Sequence, residues 1–465
     1  MSPLFPTANE RADSEHRVST ILSQFTAAIE DNPANYHLDV DQFRRQLASY
    51  DFEHPQDFDR CIEFVVNATA NGSVPMTHRS HFGLFNPAPA FPSEVADRIS
   101  GTFNPQLAVW SHAPGPVEIE RHTISAVNDR LGYPPEAGGH FTSGGSEANE
   151  TAVLCALTDS LPDYATRGLH AFERPPRVYT SRESHLAWLK IAHRLGLGRD
   201  SVVLVETDGT GRMSPSHLRA AIEADKMNGT PPLLIVGTAG TTNAGMIDPL
   251  EELAEIAQSH KLWFHVDAAW GGALIASPTS ASFLRGITSA DSVTIDAHKW
   301  FATTMGTGMF LCRSPEILAE VFRVSADYMP SNDPLRDPYI TSALWSRKFL
   351  GLRLFLSLAV VGWAGYADHI ERARTLASRL GDLLIAEAWT VTNDSPVAVI
   401  TAIPPPGHVP AADIVARIQD DGRAWISAAK FERTDVIRAC ITNGQSTEAD
   451  IDALAALLVT AAQPA

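Results

Sequence analysis

Cysteine is scarce in this sequence. Cys61, Cys155, Cys312 and Cys440 stand far apart with no C-x-x-C pair, so neither a zinc site nor a disulfide framework is expected and no metal is called for. A reducing cytosol suits them. Long apolar runs are missing as well: no stretch approaches the ~20 residues that span a bilayer. The opening MSPLFPTANERADSEH lacks a basic stretch followed by an apolar one, so a cytoplasmic, unexported protein is expected. Positive charge is in short supply. Lys and Arg number 36 against 54 Asp and Glu, and the resulting net charge of −18 disfavours nucleic acid and anionic membranes as partners.

What is present is an ordinary globular composition over 465 residues, long enough to bury a large core without staples. Residues 1–75 carry helical periodicity, as in VSTILSQFTAAIE (18–30) and VDQFRRQLASY (40–50), and read as a helical segment for packing or subunit contact. Residues 76–350 read as a large α/β domain. Its runs RVYTS (177–181), SVVLVE (201–206), LLIVGT (233–238), LWFHVD (262–267) and SVTID (292–296) alternate with amphipathic stretches such as PLEELAEIAQSHK (249–261). That pattern predicts a mostly parallel sheet covered on both faces, with ligands at the carboxyl ends of the strands. Residues 351–465 read as a long buried helix, LGLRLFLSLAVVGWAGY (350–366), and a smaller C-terminal α/β domain.

Four features inside the sheet region carry chemistry. FTSGGSEANETAVLCAL (141–157) is a Gly-rich turn entering a helix, with Gly145 and Ser146 in its first turn. Free backbone N–H groups, the helix dipole and a hydroxyl suit a phosphate, although a plain cap explains the same residues. SRESHLAWLK (181–190) puts His185 just past a strand, where a structural histidine is the commoner outcome. FHVDAAWGG (264–272) ends a strand in Asp267, a carboxylate that needs a cation or a helix to cap. SADSVTIDAHKW (289–300) runs a strand into Asp296, His298, Lys299 and Trp300. A lysine among apolar and aromatic residues is expensive to keep charged, as suits a Schiff-base nucleophile, against the bland reading of a surface lysine. Together a phosphate cradle, an acid, a ring-stacking histidine and an amine are the complement that pyridoxal 5′-phosphate (PLP) needs.

Segments 141–157, 181–194, 237–250, 264–272 and 292–301, with DAHKW and HVDAA in the right order, resemble the PLP-dependent amino acid decarboxylases (group II) that act on aromatic amino acids, glutamate, histidine and diaminobutyrate. The resemblance runs from about residue 75 to 455. It implies the aspartate-aminotransferase fold (fold type I) and a homodimer in which two subunits build each active site. It also implies that Lys299 carries PLP as a Schiff base, that Asp267 pairs with the pyridine nitrogen and that His185 stacks on the ring with Ala269 on the other face. Gly145 and Ser146 resemble the phosphate-binding turn, Thr242 the family's cofactor-contacting threonine, and His298 the lysine's neighbour near the phosphate.

The same resemblance implies a loop tyrosine that returns a proton to Cα after CO₂ leaves. SADYMPSNDPLRDPYITSALWSRKF (325–349) offers Tyr328 and Tyr339, and the spacing to Arg347 favours Tyr339. A tyrosine favours decarboxylation over the oxygen-dependent aldehyde synthases, which carry phenylalanine there. Transamination is a further alternative, and a non-enzymatic PLP-binding regulator is disfavoured because no DNA-binding module is visible. The side-chain pocket resembles Phe82, Leu84, Phe85 and Trp110, with Met76 and Ala108 where aromatic-selective relatives are bulkier. Leu84 in place of a polar amide points to an amino acid with an apolar side chain, aromatic or branched aliphatic.

Overall fold

In the computed structural model, residues 4–324 and 337–464 are described. Seven strands form the central sheet: β1 (Gly138–Thr142), β2 (Arg177–Ser181), β3 (Val202–Val205), β4 (Pro232–Thr238), β5 (Trp263–Asp267), β6 (Ser292–Asp296) and β7 (Gly308–Cys312). Their order is β1-β7-β6-β5-β4-β2-β3. From β6 to β3 every neighbouring pair is parallel, and β7 runs antiparallel to both β6 and β1. The five β-branched runs of the sequence are β2 to β6. β1 and β7 escaped the sequence reading because glycines flank or begin them and mask their apolar alternation.

Gly308 is where β7 is squeezed most tightly. A Cβ there would lie 2.6 Å from Thr142 Oγ1, 2.7 Å from Gly144 Cα and 2.8 Å from Asp296 Oδ1. Only a residue with no side chain lets β1 and β6 flank β7 at this height, and both of those strands lead directly into the candidate site.

The helices begin with α1 (Ala8–Ala28), α2 (Val40–Leu47) and α3 (Phe58–Gly72), followed by α4 (Phe91–Phe103), α5 (Pro114–Leu131) and α6 (Gly145–Ser160). Thr7 and Glu10 cap α1 reciprocally, the pairing that satisfies two otherwise orphaned N–H groups. On α6, Ala148, Ala152 and Cys155 are fully buried and pack with Phe310 and Cys312 of β7. Small side chains bring this helix close to the sheet and so set the depth of its N-terminus.

The helix expected at 350–366 spans Leu352–Ala386, with non-helical dihedrals at Gly362. It leads to an antiparallel sheet of β8 (Thr390–Val391), β9 (Val399–Ile403), β10 (Ser427–Phe431) and β11 (Thr434–Cys440), ordered β10-β11-β9-β8. One continuous apolar core joins both sheets. Phe82, placed by sequence in the large domain, hydrogen-bonds to this second unit: Phe82 N donates to Trp425 O and Cys440 N donates to Phe82 O. Among the described residues, no helix is long and apolar enough to cross a membrane.

Candidate active site

A cavity of about 440 Å³ lies at the carboxyl ends of β2, β4, β5 and β6. Strand ends and the turns after them supply most of its chemistry, as expected for a parallel sheet. His185, Thr242, Asp267, Ala269, His298, Lys299, Gly145 and Ser146 all line it. Eight residues spread over 155 positions of sequence are thereby brought to one place.

The Gly-rich turn works through backbone shape. Gly144 adopts φ +154° and ψ 176°, a region open essentially to glycine, and α6 starts immediately after it. The N–H and Oγ–H of Ser143 both donate to Glu147 Oε2, which holds the turn while Gly144, Gly145 and Ser146 face the cavity. A Cβ on Gly145 would come to 3.0 Å from Asp296 Oδ2 and 3.4 Å from Ala269 Cβ. The turn therefore packs tightly against the Asp296 carboxylate at the end of β6 and touches Ala269 just past β5.

Asp267 is buried, and both its oxygens are engaged. Asn149 Nδ2 donates to Oδ2 at 2.8 Å and Ala269 N to Oδ1 at 3.2 Å. No cation meets it among the described ion pairs. Lys299 Nζ lies 3.0 Å from Asp296 Oδ2, and Asp296 Oδ1 is buried with no hydrogen-bond partner. His185 Nδ1 accepts from Ala187 N at 3.1 Å, so its ring is oriented by the first turn of the helix Ala187–Arg194. His298 Nδ1 lies 2.9 Å from Thr307 O, which pins that ring between β6 and β7.

The far wall is apolar and cationic. Leu84 and Phe85 line it, with Phe85 against Trp270 at 4.4 Å between ring centroids and Trp270 stacked on Trp300 at 5.0 Å. Arg438, from β11, is buried there and donates to Gly83 O, Thr242 O and Ser427 Oγ. It thus ties three segments together, with no carboxylate in salt-bridge range among the described residues.

An amine at the mouth, a carboxylate without a cation, an orphaned acceptor on Asp296 and a glycine-shaped helix N-terminus fit a flat cationic ring bearing an aldehyde and a phosphate. The Pyridoxal-dependent decarboxylase conserved domain matches residues 44–394. The chain belongs to this family.

Across nearly the whole length, the chain is 29% identical to an aromatic-L-amino-acid decarboxylase of Bacillus atrophaeus over 455 residues, covering 95% of this chain and 93% of the relative. It is 34% identical over 341 residues to the cysteine sulfinic acid decarboxylase of Mus musculus, covering 72% and 68%. The crystal structure of mouse CSAD in apo form superposes with a TM-score of 0.92 at 25% identity, covering 99% of this chain and 100% of that one. The fold is that of the fold type I PLP-dependent decarboxylases, the protein is a decarboxylase and its cofactor is PLP.

Three expected site residues lie elsewhere. Phe82 is 1% exposed and faces the main core, because the backbone bonds of residue 82 to Trp425 and Cys440 turn its ring inward. Trp110 donates from Nε1 to Glu118 Oε1 and from its backbone to Asp337 Oδ1, and packs near Phe349 and Leu352. Tyr339 sits in the short turn Pro338–Ile340, where its N–H donates to Ala108 O. Its ring stacks on Trp345 at 4.7 Å, buried with Ala108 and Val109, and does not reach the cavity of its own chain. Tyr328 lies outside the described residues. Conversely, sequence reasoning passed over Asn149 and Arg438. Asn149 stands one helical turn after Gly145, a spacing that carries it to the same face of α6, whereas nothing local marks Arg438.

Proposed function

We propose that the protein decarboxylates an L-amino acid with an apolar side chain, aromatic or branched aliphatic, to the amine and CO₂. In this reading Lys299 binds the cofactor's carbonyl carbon, Asp267 its ring nitrogen and Gly145 with Ser146 its phosphate, while His185 and Ala269 hold the two ring faces. Thr242 and His298 support the ring and the phosphate end. Bound PLP supplies the sink for the electron pair left when the Cα–carboxylate bond breaks. Asp267, which meets no cation among the described residues, would face the ring nitrogen and hold a proton there. Lys299 would hold the cofactor through its amine, and the loop tyrosine would return the proton to Cα. Two copies of the chain build the complete site, a reading supported by the apolar groove of Leu22, Phe25, Val65 and Met76 between α1 and α3.

The observation that carries the substrate reading is the pairing of Leu84 and Phe85 on a wall that holds one unpaired cation among the described residues. One cation serves one carboxylate, and an amino acid with an apolar side chain has only one. A second reading, an acidic side chain, rests on Arg438 itself: a leaving carboxylate gains little from a fixed cation because its charge is lost in the transition state, whereas a retained one is held throughout. Measuring CO₂ and amine from a panel of apolar, acidic and sulfinic amino acids tests both. Preference for Phe, Tyr, Trp, Leu, Ile or Val supports the first reading. Preference for Glu, Asp or cysteine sulfinate, abolished in Arg438→Met, overturns it in favour of the second. Aldehyde with peroxide as the main product would overturn amine formation.

A further inference from the structure

Along β5, Phe264 and Val266 face the main core, while His265 and Asp267 point to the opposite face of the sheet. In the parallel register His265 stands beside Ser292 and Asp267 beside Thr294, and α6 covers this face with Asn149. The result is a buried polar file. Ser292 and His265 are fully buried, Asn149 is 3% exposed and Asp267 6%. Trp263 Nε1 lies 2.9 Å from Ser292 Oγ, Ser292 Oγ 2.8 Å from His265 Nδ1, and His265 Nε2 3.1 Å from Asn149 Oδ1. The file closes with Asn149 Nδ2 at 2.8 Å from Asp267 Oδ2.

The chemistry of the two ends sets the direction of every bond. An indole N–H can only donate and an ionised carboxylate can only accept. Asn149 must therefore turn its NH₂ to Asp267 and its oxygen to His265, so His265 Nε2 carries a hydrogen. Thr294 Oγ1, 3.3 Å from the same nitrogen, is a second acceptor for it. Burial pushes the imidazole down to about 4, against the opposing pull of Asp267. A neutral ring protonated on Nε2 has a bare Nδ1, which accepts from the Ser292 hydroxyl, and that hydroxyl oxygen accepts from Trp263. Trp188, edge-on to the imidazole at 5.8 Å, closes the remaining side.

We propose that Trp263, Ser292, His265 and Asn149 form a one-way hydrogen-bond relay that positions Asp267 and keeps its negative charge for the cofactor's ring nitrogen. This rests on the reading of Asp267 as the ring-nitrogen partner. His265 is a positioning residue: it touches neither cofactor nor substrate, and it acts by staying neutral. A charged imidazolium in its place would neutralise Asp267 from behind.

Two measurements test the relay. In the apoprotein at neutral pH, ¹⁵N NMR of His265 is expected to show the neutral Nε2–H tautomer; an Nδ1–H tautomer or a doubly protonated ring overturns the direction. In PLP titrations followed by the visible absorption of the bound cofactor, Asn149→Leu and His265→Met are expected to bind PLP about ten- to a hundredfold more weakly and to shift the pH dependence of that absorption. His265→Gln, whose amide N–H can stand in for Nε2–H, is expected to recover most of the affinity. Wild-type affinity and spectrum in Asn149→Leu overturn the relay, as does a Gln variant no better than Met. Asp267→Asn separates the two claims. If it binds PLP normally, the reading of Asp267 fails; if it alone weakens binding, the relay fails and that reading stands. Should a variant not fold, the tautomer in the wild-type apoprotein decides.

Discussion

Lys299 Nζ lies 3.0 Å from Asp296 Oδ2, one turn of chain away, and the other oxygen of Asp296 has no hydrogen-bond partner. The acid is 3% exposed and the amine 23%, so the pair straddles the border between core and cavity. Asp296 fixes where the amine stands before any cofactor arrives. Lys299 in turn neutralises a carboxylate that would be costly to bury alone.

Borohydride reduction of the holoenzyme is therefore expected to attach the cofactor to Lys299. Peptide mass spectrometry should find the added mass on the peptide that contains Lys299 and nowhere else. In Lys299→Ala no peptide should carry it and amine formation should cease; a label on any other lysine of the wild type removes Lys299 from its role.

Gly308→Ala is expected to destabilise the protein by about 1–3 kcal/mol, the usual cost of forcing an extra methyl into a packed core. The new Cβ would press on Asp296 Oδ1 and Gly144 Cα, so PLP affinity should fall together with the unfolding midpoint. A variant with wild-type stability would show that β1 and β6 can separate without cost.

For the proton donor, the burial of Tyr339 against Trp345 and Ala108 predicts that Tyr339→Phe leaves the rate of amine formation unchanged. Tyr328→Phe is expected to lower that rate by a factor on the order of 10²–10⁴, the range for removal of a general acid, and to raise the share of aldehyde. Product analysis by chromatography distinguishes the two, and a large loss in Tyr339→Phe would return the role to Tyr339.

Asp248 is fully buried and accepts from the N–H groups of Met213 and Thr238. Burial pushes its carboxyl up from 3.8 to about 7. Folded protein thus holds this proton more tightly than unfolded chain does, and the associated stability is present below about pH 4 and is lost as pH rises towards 7. Asp248→Asn is expected to flatten the pH dependence of urea unfolding across that window, and an unchanged slope would show that the carboxyl is ionised throughout it.

Much of the site was legible in the sequence because each motif is local. In DAHKW, HVDAA and SGGSEAN the candidate residue follows a strand or opens a helix within a few positions, so hydrophobic pattern and turn chemistry alone bring Lys299, Asp267 and Gly145 to one end of a parallel sheet. The five parallel strands were readable for the same reason, as β-branched runs between amphipathic helices. Residues whose direction depends on distant partners were not. Phe82 turns inward because Trp425 and Cys440, more than 340 positions away, hold its backbone, and Tyr339 is buried because Ala108 and Trp345 close on it. Arg438 reaches the cavity only because the second sheet packs against the first. Asn149 serves Asp267 only because small side chains let α6 lie close to β5 and β6. Local chemistry determined which residues are candidates to hold the cofactor; long-range packing decided which of them share a cavity and what each of them touches.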